Sequence, residues 1–178
     1  MIKKRSFFCL FIILTMFLSY AISEKKSIPI GDTGISFSVD SSYEVVTSNN
    51  KGSYSQKIQQ LLSSYGDKVI LIMTSNGSII ISFDTANYYD ILETKGKKND
   101  VILQLFDQTF KQAEFEKYLG SYSLSIYDSG TDKWVRVFFK SQNYYQYATV
   151  RNKTEVVLTF TSEFTPKEIE PIIDTFQF

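Results

Sequence analysis

The chain has 178 residues, of which 43% are hydrophobic and 16% aromatic, and its formal net charge is zero. This length and composition are typical of one globular domain with a substantial core, and they exclude a disordered chain. The sequence contains no histidine. This absence excludes Ser-His-Asp and Cys-His nucleophiles, imidazole acid–base catalysis and the usual zinc sites.

Residues 1–23 have the pattern of a secretory signal peptide. The start is basic, with Lys3, Lys4 and Arg5, and a nearly unbroken apolar run from Ser6 to Ile22 follows. Ala21-Ile22-Ser23 fits a small-x-small cleavage site. An apolar run of this length also reaches the lower limit of a membrane span, so an uncleaved anchor formed by residues 6–22 is the alternative. We expect a secreted or extracytoplasmic protein whose single domain is residues 24–178, with membrane contact only if the N-terminal segment is retained.

Cleavage removes Lys3, Lys4 and Arg5 and leaves 16 basic against 19 acidic residues, a net charge of about −3. A chain without a basic excess does not neutralise phosphates, so we expect no nucleic-acid partner. The one cysteine, Cys9, also leaves with the signal. The mature domain then has neither disulfide nor thiolate, and its stability depends on core burial.

The mature chain begins with a strand pair, Ile28–Ile30 and Ile35–Val39, joined by a turn at residues 31–34. Alternation of apolar residues with serine predicts that the second strand buries one face, and Pro29 places the first strand at an edge. Residues 43–47 continue extended.

A helix follows, with a possible capping box at Ser53-x-x-Gln56 and Ser55 as the rival cap. Gly66 ends this helix. Its apolar stripe consists of Ile58, Leu61, Leu62 and Tyr65.

A hairpin is predicted next, because Lys68–Met73 and Ser78–Phe83 flank Asn76-Gly77, a dipeptide typical of hairpin turns. The first strand is apolar on both faces. It is therefore predicted to be a central strand with a layer on each side, which indicates a sandwich. A long helix starting at Asn99 or Asp100 and ending at Gly120 follows, and then strands at residues 122–126 and 134–140.

The C-terminal third predicts a second hairpin and a helix. With Asn152-Lys153 as a two-residue loop, Arg151 pairs with Thr154. The predicted core-face pairs are Tyr145 with Phe160, Tyr147 with Leu158, and Thr149 with Val156.

The helix begins with a capping box at Thr165-Pro-Lys-Glu168. Its apolar stripe is predicted to lie on the sheet and consists of Ile169, Ile172, Ile173 and Phe176. Pro171 is expected to kink the first turns or to move the helix start later.

The order is strand pair, helix, central hairpin, long helix, three-strand meander and C-terminal helix. It resembles the PsbP-like α/β/α sandwich, and more closely a group of mostly uncharacterised secreted or membrane-anchored bacterial proteins of that type. The shared features are residues 34–39, residues 58–83, Tyr145–Asn152, Phe164–Glu168 and Asp174–Phe178. The resemblance implies an α+β fold, an antiparallel sheet flanked by helices on both faces. Proteins of this fold class act mostly as binding or assembly factors rather than enzymes.

Aromatic side chains are the unusual resource of this sequence, since flat rings suit glycan or peptide recognition. The candidate binding residues are Trp134, Arg136, Tyr144, Tyr88 and Tyr89. The alternative is that the strand face with Trp134, Arg136 and Phe138 packs under a helix.

We expect a non-catalytic secreted or envelope-associated binding or accessory module, with no cofactor and an envelope or extracellular protein or glycan as its partner. Two alternatives remain. One is a carboxylate-based hydrolase that uses residues such as Asp84, Asp90 and Glu93. The other is a carrier of a small apolar ligand.

Overall fold

A computed structural model describes residues 24–86, 103–104, 107, 120–151 and 153–178 of the chain. The predicted signal peptide, Tyr88 and Tyr89 lie outside the described residues. So does most of the predicted long helix, although Leu103, Gln104 and Asp107 are helical.

The described elements are nine strands, two α-helices and two short 3-10 turns. The strands are β1 Lys25–Pro29, β2 Ser36–Asp40, β3 Glu44–Val46, β4 Val69–Met73, β5 Ser78–Thr85, β6 Tyr122–Asp128, β7 Lys133–Phe139, β8 Tyr144–Arg151 and β9 Thr154–Phe160. The helices are α1 Gln56–Tyr65 and α2 Pro166–Ile173, and the 3-10 turns are Lys51–Ser53 and Gly66–Lys68.

Seven of these strands form one antiparallel sheet in the order β3-β4-β5-β9-β8-β7-β6. The predicted strand pair is a separate two-stranded ribbon, β1 with β2. Strands β6 to β9, all four of which the sequence predicts, form one antiparallel meander. The non-local pairing of β5 with β9 joins the central hairpin to this meander.

One side of the sheet, called here the ribbon face, is covered by the β1–β2 ribbon, α2 and the C-terminal tail. Ile72, Ile79, Trp134, Tyr147 and Leu158 are completely buried on this face, in one cluster with the apolar residues of the ribbon and of α2. Each such large apolar side chain contributes about 1.5–3 kcal/mol by leaving water. This cluster is the main core of the domain.

The opposite side, called here the groove face, carries two separate clusters. Leu62 of α1 packs with Val46, Val69 and Leu71 at one end. Val135, Val137, Phe139 and Val150 form the other cluster, against which Leu103 packs. Strand β4 is therefore buried on both faces, as its sequence predicts, since Val69 is 3% and Ile70 4% exposed.

The β8–β9 hairpin has the predicted register, with Arg151 paired to Thr154 and Tyr147 to Leu158. Lys153 has a φ of 60°, in the left-handed region that a two-residue turn requires. The predicted core face is confirmed for Tyr147, Thr149, Val156, Leu158 and Phe160, which are fully buried, whereas Tyr145 is only half-buried.

The β4–β5 hairpin has the predicted strand ends, and its turn includes the predicted Asn76-Gly77. Met73 pairs with Ser78, so the loop has four residues, Thr74 to Gly77. The Thr74 side-chain oxygen accepts the backbone N–H groups of Asn76 and Gly77. Gly77 does not adopt a positive φ; instead, a Cβ at this position would collide with the side chain of Thr161. This close approach follows from the pairing of β5 with β9.

Helix α2 begins at the predicted residue. The Thr165 N–H donates to Glu168 Oε2 at 2.9 Å, and Pro166 is the first helical residue. Ile169, Ile172, Ile173 and Phe176 are all buried, as predicted. The expectation that Pro171 moves the helix start later is wrong, because the helix runs through it.

Helix α1 corrects two expectations. Its N-cap is Ser55, so the Ser53 capping box is wrong. Its predicted apolar stripe is only partly buried: Leu62 is completely buried, Ile58 and Leu61 are half-buried, and Tyr65 is 59% exposed.

The described residues thus form an α+β fold, mostly antiparallel sheet with two helices. Neither helix in this part of the chain is long and apolar enough to cross a bilayer.

Candidate functional site

A groove of about 690 Å³ lies on the groove face between α1 and strands β4 and β5. Its apolar lining comes from Ile58, Leu61 and Tyr65 of α1 and from Leu71, Met73 and Ile80 of the hairpin. Its polar lining is Lys57, Gln60, Ser64 and Ser78. The volume lies within the range of roughly 300–1,000 Å³ that is usual for ligand sites.

The groove exists because α1 is held to the sheet mainly by one residue. Leu62 is completely buried, whereas the apolar side chains on its flanks reach the sheet only in part. On β5, Ile80 stands between Ser78 and Ser82. Because serine side chains are small, the described residues leave the sheet surface beside α1 unfilled, and the groove is lined by half-buried apolar groups.

Tyr65 is the most prominent side chain of this site. It lines the groove and also a smaller concavity of about 200 Å³ that continues over Val69, Ser82 and Val157. At 59% exposure it is the most exposed large hydrophobic side chain among the described residues. An exposed ring between two apolar concavities is typical of a contact residue rather than of a core residue.

Trp134, predicted as a surface contact, is completely buried on the ribbon face. Its ring meets the Phe176 ring edge-on at 4.9 Å between centroids, and Phe178 lies at 6.2 Å. The prediction that Trp134 offers a flat surface is therefore corrected, because the C-terminal tail covers it. The alternative interpretation, in which this strand face is packed from above, fits its position.

Arg136 follows Trp134 on the same face of β7 and is half-buried. Its guanidinium forms an ion pair with Glu170 of α2 at 3.0 Å and donates to Ser125 Oγ at 2.9 Å. The Tyr147 hydroxyl donates to the same Glu170 carboxylate at 3.3 Å. Arg136 thus connects β6, β7 and α2, and its positive charge is paired with Glu170 inside the protein.

Tyr144 points to the other side of the sheet, where its ring stacks on Phe139 at 4.5 Å. Burial raises the pKa of its hydroxyl. The structure therefore does not bring Tyr144 together with Trp134 and Arg136. Tyr88 and Tyr89, the other two candidates, lie outside the described residues.

Two tyrosine hydroxyl groups, of half-buried Tyr127 and buried Tyr147, lie near the acids at the end of α2. The Tyr127 hydroxyl donates to Asp174 Oδ1 at 2.7 Å. The pKa values of Tyr127 and Tyr147 are both raised, chiefly by burial and then by the neighbouring carboxylates of α2. Both hydroxyls therefore keep their protons to a higher pH than a tyrosine in water, and their hydrogen bonds connect the sheet to α2 and its C-cap.

Of the carboxylates considered for hydrolysis, Asp84 forms an exposed ion pair with Lys68 at 2.6 Å. The hydrogen bond from Lys68 lowers the pKa of Asp84, so this carboxylate is unsuited to act as a general acid. Asp90 and Glu93 lie outside the described residues.

The groove itself was not found by sequence reasoning. One signal was available: α1 has four apolar positions in its stripe, and the second face of β4–β5 adds Met73 and Ile80. Alternation and periodicity identify such surface but do not reveal that it remains partly open.

No protein-family model matches the sequence, and no curated protein is similar to it at a significant level. Among solved structures, the chain is similar to the cyanobacterial PsbP (CyanoP) of Synechocystis, with a TM-score of 0.47, 12% identity, and coverage of 88% of this chain and 94% of that one. It is also similar to a protein of Bacteroides thetaiotaomicron, with a TM-score of 0.40, 14% identity, and coverage of 88% of this chain and 48% of that one. The sequence resembles PsbP-like proteins, and the structure of the chain is similar to a solved PsbP structure. At these TM-scores the similarity carries nothing about function.

Proposed function

We propose that this chain is a non-catalytic binding or accessory module that acts outside the cytoplasm, at the cell envelope. In this proposal residues 1–23 direct export, and residues 24–178 form a three-layer sandwich with helices over both faces of the sheet. The groove beside α1 receives an apolar part of an envelope or extracellular partner. The groove's half-buried apolar lining is the observation that carries the proposal.

The energetics of the groove favour binding of an apolar group. Ile58, Leu61, Met73 and Ile80 are each only partly buried. Covering such side chains gains about 0.8 kcal/mol for each methylene group removed from water. Lys57 is the charged residue among the described lining, so the apolar contribution dominates. Gln60, Ser64 and Ser78 offer neutral hydrogen-bonding groups that orient a partner.

A second candidate function, carriage of a small apolar ligand, is favoured by the volume of the same groove. A cavity of about 690 Å³ accommodates a drug-sized or acyl-chain ligand as well as a protein side chain. The two functions differ in what occupies the groove, which is a macromolecule in the first case and a small molecule in the second. A direct label inside the groove distinguishes them.

Met73 allows such a label. The chain contains three methionines, Met1, Met16 and Met73, and of these only Met73 lies in the predicted mature domain and lines the groove. The full chain is expressed in cells fed with photo-methionine and irradiated, and peptides containing Met73 are analysed by mass spectrometry. We expect a cross-linked envelope protein or glycan at Met73, and no cross-link in a Met73→Leu variant of the same volume.

Further variants test the groove itself. Tyr65→Ala removes an exposed groove contact and is expected to lower the cross-link yield several-fold without loss of folding. Ser63→Ala, on the same helix but outside the groove lining, is the matched control. A small lipid-like adduct at Met73 would replace the accessory function by the carrier function. Absence of any adduct, in a protein shown to be folded and exported, would contradict both.

A further inference from the structure

A second concavity, of about 410 Å³, lies where the turn of the β1–β2 ribbon meets the start of β4. It is called here the ribbon cleft. Ile28, Ile70 and the ring of Phe83 supply its apolar wall, and the exposed carboxylates of Asp32 and Asp67 stand at its mouth. It shares no lining residue with the groove beside α1. With the smaller concavity that continues from that groove it shares Val69 and Phe83.

The ring of Phe83 is held in place by the ribbon turn. Gly31 has a φ of 49°, and a Cβ at this position would lie 3.0 Å from Phe83 Cε2. A residue with a side chain would therefore have to displace the ring. Glycine lets the turn backbone pack directly on it, so the half-buried ring is a fixed part of the cleft wall.

The carboxylates at the mouth have no basic partner in the described part of the chain. The Ser48 hydroxyl donates a hydrogen bond to Asp67 Oδ1, which orients that carboxylate. The neighbouring Lys68 is paired with Asp84 at 2.6 Å. The Lys51 ammonium donates to Ser63 Oγ at 2.9 Å. No described lysine or arginine lines the cleft, so among the described residues its negative charge is uncompensated.

We propose that the ribbon cleft binds an alkylammonium group, that is, a primary amine on an apolar stem. The two carboxylates attract the ammonium group and accept its hydrogen bonds. The Phe83 ring adds a cation–π contact, and the buried isoleucines receive the methylene stem. The site is independent of the groove and holds whether or not the groove has an apolar occupant.

The test uses the full chain as the host processes it, labelled with ¹⁵N and titrated with hexylamine or with hexanol, which has a similar stem but no charge. We expect hexylamine to shift the amide signals of Gly31, Ser48 and Val69 and to bind about fivefold to tenfold more tightly than hexanol. A third titration with Nα-acetyl-lysine amide assigns the source of the amine. Binding of this compound indicates a lysine side chain of a partner, and binding of hexylamine alone indicates a free amine.

Asp32→Asn and Asp67→Asn are each expected to weaken hexylamine binding about twofold to fivefold, with hexanol binding unchanged. Phe83→Leu keeps an apolar wall and is expected to lose a similar factor for the amine only. Asp128→Asn, in the β6–β7 turn, removes a carboxylate elsewhere and is expected to have no effect. The spectra also report folding of each variant. Equal binding of hexylamine and hexanol, or an unchanged preference in the Asp32→Asn/Asp67→Asn double variant, would overturn the proposal.

Discussion

The two faces of the sheet are made from the same strands but are covered in different ways. On the ribbon face, segments from both ends of the chain meet in one cluster that extends from Ile28 through Trp134 to Phe176. On the groove face, the described residues form two clusters, one around Leu62 and one around Val137. The difference shows where ligands have room. In the described part of the chain the groove lies at the Leu62 cluster, whose partly buried members Ile58, Met73 and Ile80 line it.

This comparison predicts that the ribbon face carries more of the stability of the domain. Trp134→Ala is expected to lower the free energy of unfolding by about 3–5 kcal/mol, because it leaves a large cavity under Phe176. Tyr65→Ala on the groove face is expected to change it by less than about 0.5 kcal/mol, because that ring is exposed. Urea denaturation measures both losses. It is followed by circular dichroism, because Trp134 is the only tryptophan and its replacement removes the tryptophan fluorescence signal. A loss below about 1 kcal/mol for Trp134→Ala would mean that the ring is not part of the core.

A second prediction concerns how α1 is attached to the groove face. Leu62→Ala is expected to cost about 2–4 kcal/mol, because Leu62 is the completely buried residue of the helix. Leu61→Ala, one position away and facing the groove, is expected to cost about 1 kcal/mol or less. The same denaturation experiment compares them. Equal losses would show that α1 packs evenly on the sheet and that the groove is closed in solution.

The third and smallest effect is on pH dependence. Burial raises the pKa of Tyr147 and Tyr127 on the ribbon face above the usual value near 10. In the unfolded chain these hydroxyls lose their protons near pH 10, whereas in the folded protein they keep them. Their contribution to stability is therefore complete below pH 10 and is lost as the pH rises through the folded pKa values. We expect a slope of about −1.4 kcal/mol per pH unit for each such tyrosine above pH 10.

Tyr147→Phe tests this expectation. It is expected to lower stability at neutral pH by about 1 kcal/mol, because the hydrogen bond to Glu170 is lost, and to make the alkaline slope shallower by one tyrosine. Measurements of unfolding free energy between pH 8 and 11 provide the comparison. An unchanged slope in the variant would indicate that Tyr147 titrates in the folded protein as it does in water.

Local features of the fold were predictable from the sequence because they depend on neighbouring residues. The loop Asn152-Lys153 sets the register of β8 and β9, and alternation then assigns Tyr147 and Leu158 to the core face. The start of α2 follows from Thr165, Pro166 and Glu168 in the same way. In each case a few adjacent residues contain the whole physical cause.

The candidate sites were less predictable, because they depend on what covers a surface. Periodicity places Trp134 and Arg136 on one strand face, but it does not show that Phe176 packs on the first and Glu170 pairs with the second. Likewise, Asn76-Gly77 predicted a hairpin turn through its turn-forming residues, whereas the approach of Thr161 from a distant strand explains the glycine. Tyr65 belongs to a helical stripe in the sequence and is nevertheless exposed.

The sequence by itself determined which residues form strands and helices, which side chains share a face, and that β4 is enclosed on both sides. Those properties follow from side-chain periodicity and from short-range capping and turn chemistry. Only the tertiary structure decided that the ribbon and the C-terminal tail cover Trp134, that β5 pairs with β9, and that a groove remains beside α1. These depend on contacts between segments far apart in the chain, where packing geometry, rather than local preference, selects which apolar surfaces meet and which stay open.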